Sequence, residues 1–524
     1  MINKKILSAS LALLLGWSGT AFAQSEVDAL RYSRLGITGS ARILGMGGTQ
    51  TALGADISAM NANPAGLGMF RRSEASFTPA IQFGTTDAST GAGKFSTDRN
   101  TLAIPSAGFV LSNRKGDDDP SDWRGVTFGV SLSQINNFNQ QVSYQNRSQA
   151  PNTIVDYFAD RANNRRLLGA NETLGRSLDD EFDSGFTTYE GLAYGTYLID
   201  VFEDAQGQYA EPLYTTGISE QQEQIKRRGS QNQYDFGVGT SYKDRLYLGA
   251  SVGVVTSYFK QENLFSESGN YVATFDANGN PGLQGQYNLS LRDEFTSRGT
   301  GINLRVGVIA RPIDALRIGV SIQTPTAYTF TDDYQTSLTA TTLNPATNSP
   351  ETITEVMLPG QFTYNLTTPF RANGGVAVFV SKYGFITADI GYVNYSKAKF
   401  REQDDEFVSE SDYFDDVNNA VSSTSKSAIN YSLGAEGRYD VFRFRAGYAV
   451  NGDPYRNANF DGKVTSYSLG AGIRLQNYYL DAAFVSSKGE SLYSPYTFSG
   501  GGGEPVIGLD QKQNKVAVTF GFNF

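Results

Sequence analysis

Two stretches of this sequence have the residue types and density of a chemical site. "GMGGTQTALG", Gly45 to Gly54, is as rich in glycine as a loop that wraps a phosphate. A phosphate loop follows a strand and presents a lysine, and this stretch has neither. "EQDDEFVSESDYFDD", Glu402 to Asp416, gathers carboxylates of the kind that hold Ca²⁺, but not at EF-hand spacing. It reads as a solvated acidic loop, as does Asp117-Asp118-Asp119. The sequence contains no histidine and no cysteine. It therefore lacks an imidazole general base, a thiolate nucleophile and a disulfide framework. A Ser-His-Asp hydrolase is excluded by composition. A haem would find only tyrosine or methionine as an axial ligand. The expectation is a non-enzyme with no metal and no cofactor.

The elements around these stretches point to another kind of work. "MINKKILSASLALLLGWSGTAFAQSE" opens with Lys4 and Lys5, continues in an apolar run from Ile6 to Trp17, and closes on Ala21-Phe22-Ala23. That is the layout of a cleaved secretory signal, residues 1–23. Beyond it no run of 18 apolar residues offers a transmembrane helix. Removing Lys4 and Lys5 leaves 41 basic and 53 acidic residues, a net charge of −12, which argues against nucleic acid. An exported, cysteine-free chain with 56 Gly, 30 Tyr and 33 Phe suggests an outer-membrane β-barrel.

The strand pattern supports this. "NKVAVTFGFNF" sets Val516, Val518, Phe520, Phe522 and Phe524 on one face, with Ala517, Thr519, Gly521 and Asn523 on the other. Large apolar side chains outward and small or polar ones inward fit a strand between lipid and lumen. The same texture recurs near 73–83, 100–112, 123–136, 231–242, 246–262, 285–311, 315–330, 355–380, 385–400, 427–438, 442–450, 464–475, 478–488 and 511–524, which makes 14 antiparallel strands. Short polar turns alternate with long connections at 84–99, 137–231, 263–284, 331–354, 401–426, 451–464 and 489–510. Barrels pair short periplasmic turns with long outer loops in this way. The longest loop, 137–231, carries Tyr157, Phe158, Phe182, Phe186, Tyr189 and Tyr194, and "VDYFADRANNRRLLG" reads as a short amphipathic helix. Those aromatics either form a ligand-collecting groove or pack the loop on the barrel rim.

Residues 24–72 do not read as strand. Their glycine-broken short helices end at Asn63-Pro64, and a lumen of 14 strands is too wide for wall side chains to fill. A compact N-terminal segment plugging the barrel formed by 73–524 is the expectation. Gly45-Met46-Gly47-Gly48, Thr51-Ala52-Leu53, Asp56-Ile57-Ser58-Ala59 and Asn63-Pro64-Ala65-Gly66-Leu67 together resemble the FadL/TodX family of outer-membrane transporters for hydrophobic compounds. The resemblance covers the hatch sharply and the barrel in outline. It implies a monomer, a 14-stranded barrel and an N-terminal hatch with an Asn-Pro-Ala motif. It also implies passive uptake of long-chain fatty acids or aromatic hydrocarbons, with release sideways into the membrane at a kink in the third strand. Asn63, Pro64, Ala65 and Gly66 would form the gate, with Asn63 holding a turn through its side chain. A C-terminal Phe524 resembles the signature read by the outer-membrane assembly machinery.

Two further features come from the residues alone. Pro79 and Pro105 fall in the first two strands, where proline cannot donate to the ladder. The third strand contains Gly125 and Gly129 and loses its alternation around Asn136. These positions predict a weak patch of wall and a lateral opening there. An adhesive or structural barrel with a closed plug, and a general diffusion porin, remain alternatives. A phospholipase of this architecture would need the histidine that the chain lacks.

Overall fold

The computed structural model describes residues 26–524 apart from 117, 166, 168–171, 213–215, 273–283, 345–346, 348, 404–410 and 458–459. The expected signal at 1–23 and residues 404–410 of the acidic run at 402–416 lie outside the described residues. Fourteen antiparallel strands close into a barrel. In chain order they are Glu74–Thr90, Gly93–Arg114, Trp123–Asn137, Thr216–Tyr242, Leu246–Val272, Gln284–Ile313, Leu316–Gln323 continued by Ala327–Asn344, Gly360–Thr367 continued by Arg371–Val380, Gly384–Asn394 continued by Lys399–Glu402, Ser427–Tyr439, Phe442–Asn451, Val464–Arg474, Tyr478–Tyr493 and Ile507–Asn523. They are counted below as strands one to fourteen. Strand one meets strand fourteen from Glu74↔Asn523 to Ser89↔Gly508, which closes the ring.

The wall turns its apolar side outward. Phe77, Leu102, Phe236, Leu304, Val378 and Phe520 all face away from the lumen, and Leu102 is 83% exposed. A continuous apolar band around a whole molecule far exceeds the patch a water-soluble monomer shows, so this surface faces lipid. On strand four the band begins at Tyr234. Short turns gather at one end. In the three-residue turn between strands four and five, Lys243 and Asp244 have φ of 53° and 54°, and Arg245 N closes the turn on Tyr242 O at 3.0 Å.

Several strands extend beyond their predicted ends. Residues 84–99, expected as a loop, form the paired tops of strands one and two, joined at Gly91-Ala92. Strand five runs on to Val272, and strand four begins at Thr216. Above the lipid a strand needs no apolar face, so "TTDAST" and "KFSTDRNT" carry no amphipathic signal although they pair fully. The remainder of 137–231 is not structureless. It contains a strand, Gln140–Gln149, laid on strand four, a small hairpin at Ile199–Asp204 and Gly207–Pro212, and helices at Ile154–Asn163, Leu174–Ser184 and Tyr189–Gly195. Phe158 and Phe186 are buried with Phe265, Leu291 and Tyr496, so these loop aromatics pack the cap onto the strand tops.

Candidate functional site

The lumen is filled at two levels by one N-terminal segment. At the long-loop end the helix Glu26–Ser33 sits in an aromatic cup. Tyr32 stacks on Phe330 at 4.3 Å, and Phe330 stacks in turn on Tyr328 and Tyr364. Phe259, Phe400 and Val421 belong to the same buried cluster. Val421 comes from a second helix, Ser411–Thr424, that closes the cup from the loops. The Arg31 guanidinium lies 4.1 Å over the Phe259 ring and pairs with Asp28. Without Tyr32 and Ala29 the cup would be an apolar, aromatic cavity, the kind of space that takes a hydrophobic molecule.

Towards the short-turn end residues 36–70 cross the lumen and touch the wall strand by strand. The contact is made mainly by backbone. Gly239, Gly249, Gly307, Gly319, Gly434 and Gly447 belong to strands four, five, six, seven, ten and eleven, and a Cβ on any of them would run into the segment. On Gly239 it would lie 2.6 Å from Gly68 N, and on Gly434 2.7 Å from Met46 O. On Gly447 it would overlap Gly47 N. Glycine is required because two backbones approach with no side chain between them. Ala41 N donates to Thr519 Oγ1 at 2.7 Å, and Gln50 N and Thr51 N donate to Asp389 at 2.8 and 2.9 Å.

Asn63 lies where this segment is tied most closely to the wall. It caps the short 3₁₀ helix Pro64–Met69, accepting from Ala65 N at 3.1 Å. Pro64 occupies the first helical position, where its missing N–H costs nothing. The Asn63 amide donates to Thr51 O at 2.7 Å and reaches Val308 O and Val320 O at 3.2 and 3.4 Å. One side chain thus joins two parts of the segment and two wall strands. Ala65 packs with Tyr247 and Ile309, and Gly66 lies against Gly54. Beside this, Arg305 is enclosed. It donates to Met60 O at 2.8 Å and Gln323 Oε1 at 2.6 Å, with Asp235 at 3.6 Å. Across the lumen Arg445 bonds Glu436 at 2.9 Å and Asp481 at 2.6 Å. Neither arginine was picked out from the sequence. Each sits at one inward position of a strand far from its partner, and no local pattern announces the pair. The wall glycines did leave a signal, a glycine at inward positions in "GVG", "LGA", "VGV" and "AGY", but sheet-weakening glycine alone does not name its contact.

The residues expected at a lateral opening divide into two groups. Strands two and three pair only from Arg114↔Gly125 to Ser106↔Ser133. Above that, strand two stays with strand one, while strand three bulges between Gln134 and Asn136 and continues beside strand four. Among the described residues no ladder joins strands two and three above Ser106. Pro79 sits in the register shift between strands one and two, opposite the Pro105 region. The Pro105 carbonyl is left to the N-terminal segment and accepts from Thr38 Oγ1 at 3.0 Å. Asn136 stands at the same level and donates to Arg31 O and Arg34 O, both at 3.0 Å, fixing the lumenal helix. Gly125 and Gly129 do not belong to this patch. They lie lower, in the paired part, and Gly129 gives room to Met60 and Leu67. Side-chain amides reach over the unpaired stretch from strand three to strand one, with Asn137 donating to Gln82 and Gln82 donating to Gln134 Oε1 at 3.5 Å.

No family model and no curated protein matches the sequence. Solved structures do match in shape. A Pseudomonas aeruginosa FadL homologue superposes with a TM-score of 0.54 at 14% identity, over 94% of this chain and 100% of the other. The toluene transporter TodX of P. putida gives 0.51 at 13% identity, over 93% and 99%. The fold is the FadL-type barrel. It has the expected strand count and wraps an N-terminal, partly helical segment in the expected place.

Proposed function

We propose that this chain is a passive outer-membrane transporter for hydrophobic molecules, in the manner of the FadL/TodX family that its hatch motif resembles. Residues 1–23 are the export signal, 24–72 the hatch, and 73–524 the barrel, inserted as a monomer with Phe524 as its assembly signal. A fatty acid or aromatic hydrocarbon enters through the loops, displaces Tyr32 from the aromatic cup, and leaves sideways between strands two and three, past Pro79, Pro105 and Asn136. The single observation that carries this reading is the absence, among the described residues, of a strand ladder above Ser106↔Ser133, at the level where Asn136 holds the cup's own helix. A cargo that opens the cup pulls on the residue beside the unpaired wall. The lipid-facing band and the FadL-type shape support it. The hatch stays seated by Asn63, Pro64, Ala65 and Gly66, so the route avoids extracting it.

The test is binding and uptake of a labelled long-chain fatty acid and of toluene, in proteoliposomes and cells, for the native chain and Asn63→Ala. The substitution removes the donor to three carbonyls and costs about 2–4 kcal/mol. Saturable uptake by the native chain, with altered uptake in the variant, is expected. An absence of binding for every hydrophobic ligand would instead favour the adhesive or structural barrel.

A further inference from the structure

Beneath the hatch, at the short-turn end, lies a cavity of about 600 Å³ that the transport reading leaves without a role. Its wall carries six guanidinium groups, from Arg42, Arg311, Arg317, Arg438, Arg443 and Arg474. Only Asp314 and Glu436 oppose them there, an excess of four positive charges in a chain whose net charge is −10. Both carboxylates are already engaged. Glu436 is shared among Arg42, Arg438 and Arg445, and Asp314 lies between Arg245 and Arg311. Among the described residues no carboxylate pairs with Arg317 or Arg443. Arg443 donates to the carbonyls of Asp440 and Phe442, and the Nε atoms of Arg311 and Arg317 have no acceptor among the described residues.

Like charges crowded in a concave, partly dry space raise each other's energy, and an anion placed among them relieves it. Guanidinium forks match the two oxygens of a carboxylate or phosphate. The roof of the cavity is the hatch loop Leu53-Gly54-Ala55, where Ala55 holds a φ of 51°, unusual for a residue with a side chain. Arg317 donates to Leu53 O at 2.7 Å and Arg42 to Ala55 O at 3.3 Å. The guanidiniums that would meet an anion are therefore the ones that grip this loop.

We propose that the arginine-lined cavity binds an oxyanion, carboxylate or phosphate, reaching it from the short-turn side, which is the periplasm under the transport reading. The anion arrives free or as the head group of an amphiphile. Its arrival competes with Leu53 O and Ala55 O for Arg317 and Arg42, and so loosens the hatch loop from below. The site depends on its geometry and charge and does not require that hydrophobic cargo be carried.

The experiment uses the full mature chain in zwitterionic detergent, with calorimetric titration of inorganic phosphate, octanoate and octanol, and with nanodiscs of phosphatidylglycerol or phosphatidylcholine. Arg317→Gln/Arg443→Gln is compared with Arg443→Lys, which keeps the charge and loses the fork. Gel mobility of the unheated barrel reports folding independently. Binding of phosphate and octanoate but not octanol, salt-sensitive and weakened at least about tenfold in the double variant, supports a site for a free anion. Arginine-dependent binding seen only with phosphatidylglycerol supports a head-group site. Binding that is absent, or unchanged in a folded double variant, overturns the proposal. Uptake of hydrophobic ligand is scored separately, so loss of one leaves the other standing.

Discussion

The two ends of the lumen are closed by different means. Near the short turns the N-terminal segment lies backbone against wall glycine, fixed by Asn63 and by the enclosed Arg305. Near the loops the same segment is held by side chains, with Tyr32 stacked in an aromatic cup. Displacing Tyr32 costs the stacking and burial of one aromatic side chain. A backbone hydrogen-bonded to several strands leaves only by giving up many bonds together. The difference assigns the tasks. The upper closure is suited to exchange with a ligand, and the lower one to sealing. Under the proposed transport, the lower closure blocks the axial route and an exit through the wall would bypass it.

The sharpest way to break the contrast is at the lower closure. Arg305→Met removes the donor to Met60 O and Gln323 and strands Asp235, which is fully buried, at an expected cost of about 3–5 kcal/mol. Planar-bilayer recording should show large, noisy openings that the native chain lacks. A smaller insult is Gly447→Ala. Its Cβ meets Gly47 N, and overpacking of this kind costs about 1–3 kcal/mol. Sensitivity of cells to bulky antibiotics should rise, less than for Arg305→Met.

The upper half offers a gentler test through pH. Glu223 lies above the lipid band, with Tyr144 and Tyr493 donating to its carboxyl oxygens. Burial, only partly offset by those hydroxyls, pushes its pKa up from 4.5 to about 7. A carboxyl with a raised folded-state pKa contributes most when it is protonated in both states. Its contribution is therefore full below the ordinary value near 4.5 and is lost as pH rises through about 7. Hydrogen exchange in Gln140–Gln149, corrected for intrinsic rate, should quicken between about pH 4.5 and 7 in the native chain and level off above that. Glu223→Gln should flatten that dependence while leaving the hatch amides unaffected.

The sequence was most informative where the membrane imposes a period. All fourteen strands lie where alternation put them, because one face must meet lipid and the other the lumen. It was least informative above the lipid, where "TTDAST" pairs as strand without any apolar face. The interrupted pairing around Pro79, Pro105 and Asn136 was legible because proline and broken alternation act locally on a ladder. Gly125 and Gly129 were grouped with them by type, yet they serve the paired wall below. The glycine track, Arg305 with Asp235, and the arginine cavity depend on which strands face one another across the lumen. Short-range pattern holds no record of that.

Under the proposed transport, cargo leaves through the unpaired wall. Extending the register of Ser106↔Ser133 by one step sets Pro105 opposite Gln134. Since the chain has no cysteine, Pro105→Cys with Gln134→Cys places a single cross-link across the opening. Labelled-ligand uptake should stop on oxidation and return on reduction, while binding at the cup persists. Full uptake with the cross-link closed would contradict the lateral route and place the exit at the hatch.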